Sequence, residues 1–243
     1  MVRQEDKGAD SAPLHGMFTS VPPRYDLVNR VMTWGLDRRW RRQAAAECLS
    51  FKPWKVLDLG CGTGDLAVEL VRLAEPGVEI IGVDYSQPML ELAAKKVENL
   101  ALERKISFVY GEAAGLPFPD GDFDCVGISF AFRNMIYRNP LLPEHLAGVL
   151  RVLKNGGRFV IVETSQPRAS LIRGLYHLYL RWFVYPLGYL LSRNRGAYRY
   201  LAESAARFYS PEELKAVLLT AGFSRVFYRP LLLGAVAIHT AVK

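Results

Sequence analysis

The chain has 243 residues, of which 50% are apolar, with a formal net charge of +7 and three cysteines. This length and apolar content allow one substantial core with additions and not two full domains, and the charge favours anionic surfaces without separating nucleic acid from lipid. Cys48, Cys61 and Cys125 are far apart and form no C-x-x-C, so neither a disulfide framework nor a zinc site is indicated, and a reducing cytoplasm fits.

Two stretches precede the first predicted strand. Residues 1–16 are polar, mixed in charge and without an apolar h-region, so we expect a disordered tail and no signal peptide. Residues 17–50 carry apolar side chains on one face and predict a helical lid over a ligand. Its arginines at 38–42 are expected on a solvated face. Three side chains of this lid either face the ligand or serve as caps and packing groups: Tyr25, Asp26 and Asn29.

Residues 56–65 predict a buried strand that ends in a glycine-rich turn and opens a helix. Glycines occupy alternate positions of the turn: Gly60, Gly62 and Gly64. Because glycine adopts φ > 0 and has no Cβ, a nucleoside can lie directly on this backbone. The spacing also passes as a dinucleotide fingerprint, and a turn that only packs a helix on a sheet is a further alternative.

The neighbouring acids distinguish the two nucleoside ligands. A dinucleotide places its pyrophosphate at the helix N-terminus, where Asp65 would repel it by on the order of 4 kcal/mol at about 4 Å and an effective dielectric near 20. S-adenosylmethionine has no phosphate, and its sulfonium and amino groups are cationic. Asp58 and Asp65 therefore favour S-adenosylmethionine.

Beyond the turn, strands and helices continue to alternate. Further strands are predicted at residues 79–84, 106–110, 123–130 and 158–163, with helices between them. Residues 210–213 predict a capping box with Pro at N1, and two closing strands at 225–228 and 236–242 form a hairpin. This order predicts an α/β fold with a Rossmann-like, doubly wound, seven-stranded sheet.

In such sheets the ligand lies outside the carboxyl ends of the strands. The rule selects the glycine turn and the residues that follow the other strands, among them Tyr85. We expect Asp84 to accept hydrogen bonds from both ribose hydroxyls, worth roughly 1.5–3 kcal/mol each. Glu112 and Ala113 are expected at the adenine, and Ser129 under the methionine part of the cofactor. Ordinary turn capping is the alternative for Glu112 and Ser129.

With these residues the chain resembles the ubiquinone/menaquinone biosynthesis C-methyltransferase family, class I enzymes that use S-adenosylmethionine and act on prenylated quinols. The resemblance covers residues 17–243 as one methyltransferase domain. Its most particular parts are the segment 25–29, the pair Arg133-Asn134 and the Tyr-Leu-Ala-Glu-Ser stretch at 200–204. It implies cofactor-binding positions at Thr63, Asp84, Glu112, Ala113 and Ser129.

The sequence departs from the family pattern at three positions. The family usually has Gly at Ala131, Pro at Asn155, and Asn or Asp at Glu112. The stretch 136–149 is also a few residues longer than usual. These differences leave open which quinone is methylated, demethylmenaquinol or the benzoquinol of the ubiquinone pathway.

The implied chemistry is an SN2 transfer of the methyl group to an aromatic carbon, which leaves S-adenosylhomocysteine. A phenol-like quinol has a pKa near 10, so ionising it at pH 7 costs about 4 kcal/mol. Arg133 could stabilise the anion and polarise a water that takes the proton, or it forms an ion pair with Asp124 or Glu163. Asn134 and Tyr25 complete the expected catalytic set, which includes no metal.

Residues 168–208 predict a second helical lid, rich in Leu and Tyr but too charged to span a bilayer. It forms an apolar slot for an isoprenoid tail, lies at a membrane surface, or is a core helix with solvated arginines. We expect a cytoplasmic enzyme with a prenylated quinol substrate and no specific nucleic-acid partner. Peripheral membrane contact, a homodimer, methylation of another small molecule or of RNA, and a non-catalytic lipid-binding module stay open.

Overall fold

A computed structural model describes residues 25–102, 105–137, 139–192 and 195–243. The predicted tail at 1–16 lies outside these residues. The helices and strands follow in this order: α1 Tyr25–Met32, α2 Leu36–Leu49, β1 Lys55–Leu59, α3 Asp65–Leu73, β2 Glu79–Asp84, α4 Gln87–Asn99, β3 Ile106–Tyr110, β4 Phe123–Ser129, α5 Phe132–Ile136, α6 Leu142–Val152, β5 Leu153–Thr164, α7 Ser170–Tyr179, α8 Tyr185–Ser192, α9 Arg195–Ala206, α10 Pro211–Thr220, β6 Arg225–Leu231 and β7 Val236–Val242.

The strands form one seven-stranded sheet in the order β3-β2-β1-β4-β5-β7-β6. Neighbours among β1 to β5 pair in parallel, whereas β7 pairs antiparallel with both β5 and β6. The predicted doubly wound α/β fold and its closing hairpin are therefore confirmed. Because the chain leaves β1 on one side towards β2 and returns on the other side at β4, the crevice at the carboxyl end of β1 is the expected ligand position.

Alternation along β1 distributes its side chains to two cores. Leu57 and Leu59 belong to the cluster on one face, and Val56 belongs to the cluster on the other face. Helices cover both faces of a parallel sheet, so successive side chains along a strand pack alternately against the two helical layers. Helix α2 approaches the sheet closely, since a Cβ on Gly127 would lie 3.1 Å from the Cys48 sulfur. This packing places the helix beside the crevice.

A third cluster joins the two segments that were predicted to be lids. Val28 and Met32 of α1 pack with Leu180, Val184 and Tyr198 of the 168–208 segment. A π-helical turn, Leu180–Val184, connects α7 to α8. Both segments are helical, as expected, and they cover the same end of the sheet. Their action as lids stays a prediction.

Two local features differ from or extend the predicted elements. Strand β5 begins at Leu153 rather than at Arg158, because Leu153 already pairs with Phe123 before a register shift that realigns Arg158 with Cys125. Residues 155–157 therefore form an irregularity within the strand. The predicted capping box of α10 is present, with Ser210 and Glu213 bonded reciprocally. Within the described ranges, no helix is long and apolar enough to cross a membrane.

Candidate active site

A cavity of about 770 Å³ opens at the carboxyl ends of the parallel strands. This volume lies in the upper part of the roughly 300–1,000 Å³ usual for small-molecule sites. Every parallel strand contributes wall residues, as the strand-end rule predicts: Asp58, Gly60, Gly62, Asp84, Tyr85, Glu112, Ala113, Ser129 and Thr164. Further wall residues come from α1, α2, α5, the 168–208 segment and the turn between β6 and β7.

The glycine turn presents bare backbone to this cavity. Gly60, Gly62 and Gly64 have φ of 61°, 53° and 79°, which is the left-handed region that side chains other than glycine rarely adopt. A Cβ on Gly62 would have no neighbour within 4 Å, so its face is open. The residues present therefore fit a nucleoside that lies on the main chain, as expected for S-adenosylmethionine.

Asp58 lies beneath the turn and holds the first turn of α3. Its carboxylate accepts a hydrogen bond of 2.9 Å from the Ala67 backbone N–H, one of the donors that a helix N-terminus leaves unpaired. The side chain is almost fully buried, and this burial raises its pKa to about 8. Asp58 is therefore mainly protonated at pH 7 in the ligand-free protein, although the sequence argument treated it as a free negative charge.

Asp84 is the last residue of β2 and is hydrogen-bonded to the glycine turn. One carboxylate oxygen accepts from the Gly62 N–H and the other from the Ser86 N–H, each at 2.8 Å. Burial raises the pKa of this carboxyl as well. Each oxygen keeps acceptor capacity for a further donor, so the geometry is compatible with the ribose role, which stays a prediction.

Asp65 is already paired with two cations. Lys96 Nζ lies 2.7 Å from one carboxylate oxygen, and Arg41 lies 3.5 Å from the other. These cations lower the Asp65 pKa and compensate its charge. The repulsion calculated for an unpaired Asp65 is therefore too large, and the choice of ligand depends less on this residue than the sequence suggested.

Arg41 is the largest correction to the sequence analysis. The prediction of a solvated basic face holds for Arg38, Arg39 and Arg42, but Arg41 is buried in the cavity wall. Its guanidinium forms an ion pair with Asp37, and its Nε donates to Ser129 Oγ at 3.0 Å. Helical position explains the difference, because Arg41 follows the buried Trp40 and turns to the sheet with it. The helical spacing of Trp40, Ala44, Ala45 and Cys48 places Arg41 on their face, a signal that the sequence analysis did not use.

Helix α1 is fastened to the glycine turn through polar contacts. Thr63 donates its hydroxyl proton to Asp26 at 2.8 Å, and Lys96 donates to Thr63 at 3.0 Å and to Asp26 at 2.7 Å. Asp26 and Asn29 both line the cavity, as expected for the first lid. Tyr25 begins α1, but its side chain, which was predicted to be catalytic, is not among the side chains that the structure describes. Lys96 was missed, because a lysine on an amphipathic helix normally indicates only a solvated position.

Arg133 lies in the cavity wall and is almost fully buried. Its backbone N–H donates to Glu163 at 3.0 Å, and its guanidinium donates to the Thr164 hydroxyl at 3.1 Å and lies 3.8 Å from Glu163. The ion pair considered as an alternative is thus present with Glu163, whereas Asp124 binds Lys154 instead. The pairing fixes the guanidinium and leaves it in the cavity wall.

Four polar atoms near Arg133 have no hydrogen-bond partner among the described residues. They are buried, and all four residues line the cavity: Arg133 Nε, Asn134 Oδ1, Tyr176 Oη and Tyr200 Oη. Burial raises the pKa of both tyrosines, so they remain neutral donors. Buried polar groups are normally satisfied, and this set therefore indicates a polar ligand. Tyr200 was in a segment noted only for its resemblance, and Tyr176 was not predicted.

The expected adenine position lies where α6 meets the turn after β3. Residues Ala113–Gly115 form a short 3₁₀ turn, with Ala113 buried and Glu112 at its start. A Cβ on Gly148 of α6 would lie 2.2 Å from the Ala113 carbonyl oxygen. Gly148 therefore allows α6 to support this part of the wall at backbone distance. In the described ranges, no group of three or more His, Cys, Asp or Glu side chains could hold a metal ion.

Comparison with known proteins agrees with this site. The model of the ubiE/COQ5 methyltransferase family matches residues 4–243. The chain belongs to this family. It is similar to the demethylmenaquinone methyltransferase of Thermus thermophilus, at 45% identity over 92% of this chain and 98% of that protein. It is also 39% identical to the ubiquinone/menaquinone biosynthesis C-methyltransferase UbiE of Geobacter sulfurreducens, over 100% of this chain and 92% of the relative.

A solved structure shares the fold at lower similarity. An S-adenosylmethionine-dependent methyltransferase from Aquifex aeolicus superimposes with a TM-score of 0.59 at 19% identity, over 97% of this chain and 98% of that one. Membership of the ubiE/COQ5 family shows that the protein is a methyltransferase that uses S-adenosylmethionine. The predicted family, fold and enzyme class are confirmed.

Proposed function

We propose that this methyltransferase transfers the methyl group of S-adenosylmethionine to a ring carbon of a prenylated quinol, either demethylmenaquinol or the benzoquinol of the ubiquinone pathway. The proposal rests on one observation, that two different groups of residues line the same cavity. The glycine turn forms one wall, and the polar atoms of Arg133, Asn134, Tyr176 and Tyr200 that have no partner in the described part of the chain lie in the same cavity. The names of the two relatives support the substrate class.

The cofactor end is assigned to the glycine turn and the strand ends. Asp84 accepts from the ribose hydroxyls, and Glu112 with Ala113 receives the adenine. Arg41 binds the carboxylate of the methionine part, since it is a buried cation of the cavity wall and is bonded to Ser129. When bound, S-adenosylmethionine supplies an electrophilic methyl group on a sulfonium. Asp58 is assigned to the positive end of the cofactor, because it is buried below the same turn.

The quinol end is assigned to Arg133 and the two tyrosines. The positive charge of Arg133 acts on both Tyr176 and Tyr200, which places the three groups near one another. Their raised pKa values keep the tyrosines protonated, so both can donate hydrogen bonds to a quinol oxygen as it gives its proton to a water. The ring carbon that gains the methyl group then loses its hydrogen as a proton, which restores the quinol, so one proton is released in all. Such donors to a charged oxygen are worth roughly 1.5–3 kcal/mol each. Together they offset a large part of the about 4 kcal/mol required to ionise the quinol at pH 7.

One part of the cavity is apolar and suits the isoprenoid tail of the substrate. Met32, Ile172, Leu175 and Leu201 line it, between α1 and the 168–208 segment. We assign the isoprenoid chain to this part and infer a peripheral contact with the membrane in which such substrates dissolve, from the cytoplasmic side.

The test supplies the purified protein with methyl-labelled S-adenosylmethionine and a chemically reduced quinol with a short tail, under anaerobic conditions. Two substrates are compared, the naphthoquinol and the benzoquinol. We expect the label on a ring carbon, stable to acid and located by mass spectrometry. Label on an oxygen, or no transfer although the cofactor binds calorimetrically, would reject the proposed reaction.

The matched variants are Arg133→Met and Arg158→Met. Arg158 also belongs to β5 but does not line the cavity, and its guanidinium stacks on Phe51 at 4.2 Å. We expect R133M to lose at least about 100-fold in kcat, since a charge beside the developing anion is removed, with little change in cofactor affinity. R158M retains the rate. Equal losses in the two variants would show that the effect is structural.

A further inference from the structure

The outer side of the 168–208 segment carries an exposed apolar stripe. It consists of Leu171, Leu175, Leu178, Trp182 and Tyr189, which are 73%, 55%, 53%, 69% and 50% exposed. Their intervals of four, three, four and seven residues follow the period of a helix, so they lie along one side of α7, the π turn and α8. Single exposed apolar residues are ordinary, but a contiguous stripe indicates a partner surface.

The inner side of the same segment forms the cavity wall. Ile172, Tyr176, Tyr179, Leu180 and Val184 line the cavity, while the stripe faces away from it. Leu175 belongs to both surfaces, because it lines the cavity and is also half exposed. A single helical layer therefore separates the predicted tail site from whatever covers the stripe.

Exposed apolar side chains also lie at the rim of the cavity. Trp34, Leu232 and Leu233 line the cavity, yet they are 75%, 52% and 76% exposed. Leu232 and Leu233 have φ of 42° and 54°, a left-handed conformation that costs energy for a leucine. The turn between β6 and β7 therefore exposes two large apolar side chains to solvent, and it does so in a backbone conformation that is unfavourable for leucine.

We propose that the stripe and the rim, Trp34, Leu171, Leu175, Leu178, Trp182, Tyr189, Leu232 and Leu233, form a docking face for the surface of an anionic phospholipid bilayer. This face would receive the quinol directly from the lipid through the cavity mouth. The inference rests on the proposed function for the identity of the cargo, but the lipid contact itself does not depend on that activity.

Charge and geometry favour a bilayer over a protein partner. The exposed guanidinium of Arg181 lies 5.9 Å from the Trp182 ring, and such an Arg and Trp pair suits the boundary between headgroups and acyl chains. The net charge of +7 adds attraction to an anionic surface. The cavity opens within the face itself, so a protein seated there would close the mouth, whereas a bilayer would supply apolar substrate to it.

The test measures binding of the full chain to sedimented vesicles that contain no quinol. Vesicles of phosphatidylcholine with about 30% phosphatidylglycerol are compared with pure phosphatidylcholine. The triple variant Leu171→Ser, Leu178→Ser, Trp182→Ser should reduce the partition coefficient at least about tenfold, since three exposed apolar side chains leave the interface. Arg181→Gln should reduce binding about fivefold on the anionic vesicles and much less on the neutral ones.

The matched control is Trp54→Ser. Trp54 is 74% exposed but precedes β1, at the edge of the sheet opposite the cavity. We expect this variant to bind within twofold of the native chain, and Trp182→Ser alone to bind several-fold more weakly. If Trp54→Ser weakens binding equally, or if the native chain does not bind at about 1 mM lipid, the docking face is refuted. A native dimer that the triple variant dissociates would instead assign the stripe to a second copy.

A kinetic comparison separates lipid docking from the reaction. The side chains of Leu171, Leu178 and Trp182 do not line the cavity. The triple variant should therefore keep its kcat/KM for a water-soluble short-tailed quinol and lose about tenfold for a long-tailed quinol in vesicles. Vesicle binding without any quinol methylation would support the face while rejecting the proposed reaction. Equal kinetic losses on both substrates would overturn the role in delivery.

Discussion

The protonation state of Asp58 should control the affinity for S-adenosylmethionine. Burial raises the pKa of this carboxyl to about 8, so in the ligand-free protein it is about 90% protonated at pH 7. A cation placed within about 4–6 Å lowers a carboxyl pKa by roughly 1–3 units. With a lowering of about 2 units, binding releases most of one proton, and the dissociation constant falls about twentyfold between pH 5.5 and 7.5.

Calorimetry in two buffers of different ionisation enthalpy measures both the number of protons released on binding and the dissociation constant. The pH range ends at 7.5, because the amino group of the cofactor itself titrates near 7.7–8.0. S-adenosylhomocysteine is the control ligand, since it has no sulfonium charge and should show a much smaller pH dependence. Asp58→Asn is the control variant, because the amide oxygen can still accept from the Ala67 N–H. It should bind with a flat pH profile.

The same group predicts the pH dependence of the stability of the ligand-free protein. The folded-state pKa of Asp58 lies above its unfolded value of 3.8, so the folded chain binds more protons than the unfolded chain between about pH 4 and 8. The free energy of unfolding should therefore fall as the pH rises through this range, by up to about 1.4 kcal/mol per unit from this group. If denaturant melts of the native chain and D58N have the same slope, or if cofactor binding releases no proton, the argument fails.

Three other predictions concern the cavity wall. Arg41→Gln should weaken S-adenosylmethionine binding, measured by calorimetry, about 10- to 100-fold, because a charge-assisted hydrogen bond of roughly 1.5–3 kcal/mol is lost. An unchanged affinity would show that Arg41 does not bind the cofactor. Tyr176→Phe and Tyr200→Phe should each lower kcat about tenfold or more without changing cofactor affinity; full activity in both would show that neither hydroxyl meets the substrate. Gly148→Ala should destabilise the protein by about 1–3 kcal/mol, because the clash with the Ala113 carbonyl exceeds the helix-propensity gain of about 1 kcal/mol; a raised melting temperature would contradict this.

Most of the fold was predictable from the sequence because its signals are local. The glycine turn requires positive φ at Gly60, Gly62 and Gly64, and only glycine adopts it without strain. Alternating strands and helices then determine that the strand ends meet at one edge. Asp84, Glu112 and Ser129 lie in the cavity for this reason, and no long-range information was required to place them there.

The contacts between segments were not predictable in the same way. The helical spacing of Trp40, Ala44 and Cys48 places Arg41 on the buried face of α2, but whether its guanidinium reaches the cavity depends on how α2 packs on the sheet. The compensation of Asp65 depends on Lys96, which is 31 residues away on another helix. Tyr176 reaches the cavity only because α7 packs over it. Each of these is a tertiary effect that hydrophobic period and turn chemistry do not encode.

The distribution of charge explains how one cavity can serve a cationic cofactor and an anionic reaction. At the glycine turn, burial raises the pKa of Asp58 to about 8, and Asp65 is paired with Lys96 and Arg41. Arg133, in the wall of the same cavity, is held by Glu163 and Thr164 but keeps an unpartnered Nε among the described residues. Asp58 therefore becomes fully charged only when the sulfonium arrives, while the positive charge of Arg133 is fixed in advance. In the proposed reaction this arrangement stabilises the quinol anion in the same cavity as the methyl donor.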